Sequence, residues 1–312
     1  MNNLHIPVLV NEVINYLNIN PRGVYVDSTA GMGGHSERIV NQLTTGKLIC
    51  IDNDKFAIDI LKKKFSNDKR IIIIHSNFSM IKQILSSLNI KNVDGILADL
   101  GVSSPMFDDK SRGFSYKLDA KLDMRIDKTQ KLDAWFVVNK YSLFKLIDIF
   151  KKYGEDNDSK KVAIAIVESR KKKDINTTLE LVDVIKLAVS KRKLHMKKHP
   201  ARVYFQAIRI EVNNELNCLK TFINDGLEML SLNGVLAVIS YHSLEDRIVK
   251  TFFHKASTNK FPVEIPILNE NINFLLVNKN PITPSLNEIN SNNRSRSAKL
   301  RCIKRISMKG TF

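Results

Sequence analysis

The sequence predicts an α/β protein: a parallel, doubly wound sheet with an all-helical segment inserted into it. Three observations carry that expectation. Short apolar runs at 24–27, 47–52, 70–75 and 94–99 alternate with segments of helical periodicity, and strands that alternate with helices pair in parallel. Three of those runs close on an acid (Asp27, Asp52, Asp99), and the first leads into Gly31-Met32-Gly33-Gly34, the kind of turn that forms a ligand pocket at the strand ends of such a sheet. The alternation then stops after Asp99, residues 132–193 have helical periodicity throughout, and an apolar strand returns at 235–239.

Taken in order, residues 7–17 form a helix with Val10, Val13, Ile14 and Leu17 on one face and Pro7 in the first turn. Strand 24–27, the glycine turn and a helix from His35 to about residue 43 follow. Strand 47–52 precedes an amphipathic helix at 55–65. The unbroken β-branched run at 70–75 predicts a fully buried strand. Asn77-Phe78-Ser79 leads into a helix ending near residue 88, and 94–99 is the fourth strand. Residues 100–109 form a loop at the carboxyl edge of the sheet. In the helical stretch, Thr177-Thr178-Leu179-Glu180 is a capping box. Phe205, Ile208, Val212, Leu219 and Ile223 mark the buried face of one long helix, Asn233-Gly234 turns into strand 235–239, and Tyr241 to Arg247 opens another helix. Residues 255–293, rich in Asn, Pro and Thr, form loops around short strands. The expected division is a discontinuous sheet domain, 1–107 and 200–312, around a helical insert, 108–199.

A chain of 312 residues with 43% hydrophobic and 26% charged residues has the composition of a globular protein with a substantial core. No apolar run reaches the ~20 residues of a membrane span, and the first residues do not resemble a signal peptide. Cys50, Cys218 and Cys302 lie far apart with no C-x-x-C, which argues against a disulfide framework or a zinc knuckle; no metal is expected, and a cytoplasmic setting is. Lys plus Arg outnumber Asp plus Glu by 49 to 32, a formal charge of +17, which makes nucleic acid the first partner to consider.

The glycine turn departs from G-x-G-x-x-G, because His35 and Ser36 follow Gly34. Asp52, about twenty residues on, suits ribose hydroxyls, which NAD and S-adenosylmethionine both carry. The altered turn favours S-adenosylmethionine, and no hydride-transfer constellation accompanies it.

These segments together resemble the bacterial MraW family of ribosomal RNA small subunit methyltransferases. The stretches that carry the resemblance are His5-Ile6-Pro7-Val8-Leu9, Gly33-Gly34-His35-Ser36, Asp99-Leu100-Gly101-Val102-Ser103-Ser104-Pro105, Arg112-Gly113-Phe114-Ser115 and Leu122-Asp123-Met124-Arg125. They continue with Phe205-Gln206-Ala207, Arg209-Ile210, Ser240-Tyr241-His242-Ser243-Leu244-Glu245-Asp246-Arg247 and Arg294-Ser295-Arg296-Ser297-Ala298-Lys299-Leu300-Arg301. They span nearly the whole chain in one order. The resemblance implies a Rossmann-like class I S-adenosylmethionine-dependent methyltransferase fold with an inserted helical domain that recognises RNA. It implies methylation of N4 of a cytidine in the decoding region of 16S rRNA within the small ribosomal subunit. It also implies cofactor contacts at Gly33, Gly34, His35, Asp52, Phe78, Asp99 and Met106. Three positions depart from the family pattern: Met106 stands where Gln is usual, Ala201-Arg202-Val203-Tyr204 where Ala-Thr-Arg-Thr is usual, and Asn293 where Pro is usual.

For the amine of cytosine, Asp99 and Ser103 are the candidate proton acceptors, with Asp109, Asp123 and His242 in second rank; no general base is assigned. Lys191, Arg192, Lys197 and Lys198, with Lys193, and Arg294, Arg296, Lys299 and Arg301 are the candidate phosphate contacts. The alternatives are a methyltransferase acting on DNA or another RNA, and an RNA-binding ribosome-assembly factor that keeps the fold with weak activity or none. The oligomeric state stays open, a homodimer included.

Overall fold

The computed structural model describes residues 7–258 and 272–308. His5 and Ile6 of the first matched stretch, residues 259–271 of the predicted loop region and the basic Lys309 lie outside the described residues. The chain divides into two compact units, 1–101 with 216–312, and 102–215.

The first unit begins with α1 (Val10–Leu17), which starts three residues later than Pro7 because Leu9 takes φ +53°, outside a right-handed helix. Then follow β1 (Val24–Asp27), α2 (Gly34–Val40), β2 (Lys47–Asp52), α3 (Lys55–Lys64), β3 (Ile71–His75), α4 (Ile81–Ser87) and β4 (Val93–Asp99). The second unit holds α5 (Ser104–Asp108), α6 (Ala134–Lys140), α7 (Leu143–Gly154), α8 (Ser159–Lys172), α9 (Thr178–Ala188), α10 (Lys191–Leu194) and α11 (Arg202–Asn213). The chain returns to the first unit through α12 (Glu215–Met229), β5 (Leu230–Ser240), α13 (Ser243–Ser257), β6 (Phe274–Leu276), α14 (Leu286–Ser291) and β7 (Lys299–Arg305).

The seven strands lie in the order β3-β2-β1-β4-β5-β7-β6. β1 to β5 are parallel, and β7 runs antiparallel between β5 and β6. Successive side chains leave opposite faces of a strand, and both faces are covered here. Val26, Ile49, Ile96, Leu236 and Val238 pack with Leu85, Phe222, Ile223 and Phe253 from α4, α12 and α13. Tyr25, Leu48, Cys50, Leu97 and Ile239 pack with Val13, Ile39 and Leu61 from α1, α2 and α3.

Several sequence expectations are corrected here. β3 is an edge strand and only half-buried, ending on exposed His75; an apolar run shows that both faces are covered, not that both edges are paired. Asn233-Gly234 is no terminal turn: β5 starts at Leu230, and Asn233 sits inside it at φ +67°, beside a register shift against β4. The long helix at 202–229 is two helices, parted where Asn214 takes φ +50°. The loop at 100–109 contains the short helix α5. The basic segment 299–305 is a strand, in which Leu300, Cys302 and Ile303 are buried together with Arg301 and Arg305.

In the second unit Phe150, Val162, Ile166, Leu181 and Ile185 pack with Tyr204, Phe205, Ile208 and Val212 of α11. Helix α11 therefore belongs to the insert, and its boundaries fall at 102 and 215 instead of 108 and 199. The capping box at Thr177 and Glu180 forms with both hydrogen bonds. Two matched stretches are structural partners. Gly113 takes φ +68° where an added Cβ would lie 2.3 Å from the Lys121 carbonyl oxygen, and the Arg112 guanidinium donates to the Arg125 and Ile126 carbonyls at 3.2 and 2.9 Å. Asp123 is clamped by Arg125 through two hydrogen bonds of 2.9 and 2.8 Å, which organise this loop.

Candidate active site

The site at the carboxyl edge of the first unit grows from three strand ends and one turn. After Asp27, Ala30 N–H pairs with the Ile51 carbonyl and Gly33 N–H closes back on the Ala30 carbonyl at 2.8 Å. Gly31 and Gly33 both adopt positive φ, +51° and +74°, as glycine does at no steric cost. Their surroundings differ. A Cβ on Gly33 would lie 2.9 Å from Leu61 and Phe65, and one on Gly34 3.1 Å from Pro7, whereas one on Gly31 would meet nothing closer than the Thr29 carbonyl at 3.9 Å. Gly33 and Gly34 thus meet a packing need inside the protein. The open face of the turn belongs to Gly31, which lies outside the cofactor positions implied by the family resemblance.

Asp52, at the end of β2, accepts from the Gly31 N–H at 2.7 Å and the Asp54 N–H at 2.8 Å, one on each carboxylate oxygen. This fixes its orientation and leaves further lone pairs for an external hydroxyl. Burial pushes its carboxyl up to about 6, against the two amides. Phe78 follows β3, half-buried, with its ring edge-on to Phe222 at 5.1 Å.

Asp99 ends β4, one strand over from Asp27. Its N–H donates to Thr29 Oγ1 at 2.6 Å, and its Oδ1 accepts from the Tyr241 hydroxyl at 2.7 Å. Its Oδ2 lies 3.9 Å from His35 Nδ1, and the Asp99 side chain keeps 16% of its surface exposed. Burial raises the Asp99 carboxyl to about 6, opposed by His35 and Tyr241 and reinforced by Asp27 and Glu245. Burial and the Asp99 charge push the Tyr241 phenol well above its ordinary range. Asp27 is buried, accepts from Ser36 Oγ at 2.6 Å, and is likewise raised by burial. His35 is buried in the first turn of α2, its Nε2–H donating to the Val8 carbonyl at 2.9 Å.

The first unit therefore brings Asp52, His35, Asp99 and the glycine turn to one edge, with Phe78 just beyond the neighbouring β3. Ser103 and Met106 belong to the second unit, where Ser103 precedes α5 and the Met106 side chain lies in that unit's core. Tyr241 and Asp27 were missed as site residues. The signal for Tyr241 was register: Asp99 pairs with Ile239 on β5, so the residue two beyond Ile239 lies past the same edge. His242, one residue further on, caps α13 by a reciprocal capping box with Glu245. Asp109 is exposed and accepts from the Ser111 N–H.

Among the phosphate candidates, Lys191, Arg192, Lys197 and Lys198 of the second unit and Arg294 and Arg296 of the first are exposed. The others are corrected. Arg301 is buried and donates to Asp246 at 2.7 Å, Lys299 donates to the same carboxylate at 3.0 Å, and Lys193 is ion-paired to Asp156 and Asp158. Their charges are matched within the fold.

A seven-stranded sheet of this order, with one antiparallel strand slotted between β5 and β6, a glycine turn after β1 and acids closing β1, β2 and β4, defines a class I methyltransferase. The chain belongs to the MraW methylase family, whose profile matches residues 2–306. Ribosomal RNA small subunit methyltransferase H of Ureaplasma urealyticum serovar 10 is 52% identical over 300 residues, 96% of this chain and 97% of that one. The protein of the same name from Streptococcus pyogenes serotype M4 is 46% identical over 308 residues, covering 97% and 98%. Among the described residues, no helix is long and apolar enough to cross a membrane.

Proposed function

We propose that this chain transfers a methyl group from S-adenosylmethionine to N4 of a cytidine in the decoding region of 16S rRNA, in the small ribosomal subunit of the cytoplasm. The observation that carries the reading is Asp99, half-buried at a strand end and held by Tyr241, beside the glycine turn and Asp52 in a chain of this family. The residues present fit the cofactor: Gly31 has an open face, and Asp52 is oriented with lone pairs to spare. Asp52 would take the ribose hydroxyls, the turn at Gly31 the methionine end, and Phe78 the adenine.

When bound, the cofactor supplies an electrophilic methyl group on a sulfonium. Cytosine N4 is a weak nucleophile because its lone pair is delocalised into the ring. Asp99 helps by accepting one amine proton as a hydrogen bond, which orients N4 and favours the nitrogen geometry of the transition state. On transfer the carbon–sulfur bonding pair would leave with sulfur as N4 gained the methyl carbon, so that N4 would become cationic. The Asp99 carboxylate then takes the acidic N4 proton. Its raised affinity for a proton suits that exchange near neutrality.

The target base must leave its stack to reach Asp99. Lys191, Arg192, Lys197 and Lys198 of the insert and Arg294 and Arg296 would hold phosphates, which makes binding fall steeply with salt. The test is label transfer from S-adenosylmethionine to small subunits lacking native methylation, with free 16S RNA and DNA alongside. Incorporation into small-subunit RNA supports the reading; labelling of DNA alone, or of nothing despite cofactor and subunit binding, refutes it.

A further inference from the structure

Helix α14 opens with Ser285-Leu286-Asn287-Glu288, the spacing of a capping box, in which the glutamate returns a hydrogen bond to the N-cap amide. The pairs Thr177–Glu180 and His242–Glu245 close such boxes in full. In α14 half of the box is present: Ser285 Oγ accepts from the Glu288 N–H at 3.2 Å. The Glu288 carboxylate turns away and accepts from the Leu9 N–H at 2.8 Å, across 279 residues of sequence.

What it holds is strained. Leu9 is buried and sits at φ +53°, a region that costs a side chain with a Cβ roughly 1–2 kcal/mol. Its neighbours roof the glycine turn. Pro7 packs on Gly34, and the Val8 carbonyl accepts from His35 Nε2–H at 2.9 Å. A carbonyl can only accept, so neutral His35 keeps its proton on Nε2 and turns a bare Nδ1 toward Asp99 Oδ2, 3.9 Å away.

We infer that Glu288 is a positioning residue for the methyl-transfer site: by holding the Leu9 amide it fixes the Val8 carbonyl, and through it the tautomer and ring orientation of His35 beside Asp99. The reaction named here rests on the proposed function; the chain of contacts does not. His35 is faced by Asp99 from β4 and Asp27 from β1. Asp99 is faced by His35, Asp27, Tyr241 beyond β5 and Glu245 of α13, while Glu288 acts on Tyr241 from α14.

The test compares the full chain with Glu288→Gln, Glu288→Asp and Glu288→Leu. Two readouts are taken: the side-chain nitrogen NMR signals of His35, assigned by their loss in His35→Asn, and the pH profile of single-turnover methyl transfer. The amide oxygen of Gln can still accept from Leu9, so Glu288→Gln keeps one His35 tautomer and the wild-type profile. Glu288→Leu mixes the tautomers, places a donor Nδ1–H against the Asp99 carboxylate in part of the molecules and so moves the acid limb to lower pH, and lowers kcat roughly 10- to 100-fold, with KM for RNA unchanged. Glu288→Asp, whose acceptor is one methylene short, changes in the same direction and serves if the leucine variant fails to fold. A single His35 tautomer and a wild-type acid limb in Glu288→Leu and Glu288→Asp would overturn the inference, as would Glu288→Gln behaving like Glu288→Leu. If the wild-type chain transfers no methyl group, the proposed function fails, while the tautomer signal still decides the role of Glu288.

Discussion

Replacing Asp99 by Asn tests whether a largely desolvated charge sits at the centre of the site. In the native chain the Asp99 carboxyl is raised from 3.8 to about 6, chiefly by burial. A folded-state value above the unfolded one means that the native protein binds the extra proton. The associated stability is present below about pH 4 and is lost as pH rises through 6. The full loss is about 3 kcal/mol, of which roughly 2 kcal/mol falls between pH 4.5 and 7.5. Asn has the same shape and no charge. Its oxygen can accept from the Tyr241 hydroxyl, and its amide can donate to His35 Nδ1, so the fold is retained. Urea unfolding of both proteins at the two pH values should therefore show the variant gaining about 2 kcal/mol on the wild type between pH 4.5 and 7.5. The contribution of Asp52 is common to both proteins and cancels. Parallel pH dependences would refute the reasoning, because Asp99 would then carry no burial penalty.

Further outcomes follow from neighbouring contacts. Single-turnover methyl transfer should rise with pH to a plateau above about 6, since Asp99 must be ionised to accept the amine proton; a flat profile from pH 5 to 8 would remove Asp99 from that role. Gly33→Ala places a Cβ 2.9 Å from Leu61 and Phe65 and should cost roughly 2–4 kcal/mol in thermal unfolding. Gly31→Ala, in open space, should cost only about 1–2 kcal/mol yet weaken cofactor binding by calorimetry. Arg301→Ala should cost roughly 2–3 kcal/mol, below the usual cost of breaking a buried pair because Lys299 still holds Asp246, and should leave the salt dependence of RNA binding unchanged. The charge reversals Lys197→Glu and Arg296→Glu should reduce RNA affinity in filter binding and flatten its salt dependence.

Much of this architecture was legible in the sequence because the signals were local. Apolar runs closing on Asp27, Asp52 and Asp99 gave the parallel strands, and Thr177 with Glu180 gave a helix start. What escaped depended on pairing between distant segments. Nothing local marks Lys299–Arg305 as an interior strand, since two of its cations, Lys299 and Arg301, are paired by Asp246, more than fifty residues earlier. The same holds for the break at Asn214, where continuous helical periodicity hid a change of core from one unit to the other. In the site, the family resemblance pointed to Gly33 and Gly34, but the packing of Leu61, Phe65 and Pro7 explains those residues and leaves Gly31 as the open position. Tyr241 needed the sheet register, and Glu288 a contact that sequence separation conceals.

The most direct test of the central claim is the identity of the methylated atom. Small subunits lacking native methylation would be treated with the wild-type chain and with Asp99→Asn, and their RNA digested and analysed by nucleoside mass spectrometry. The account predicts N4-methylcytidine with the wild type and a rate at least roughly 100-fold lower with the variant. A methyl group on a carbon or ribose oxygen, or undiminished transfer by Asp99→Asn, would contradict it.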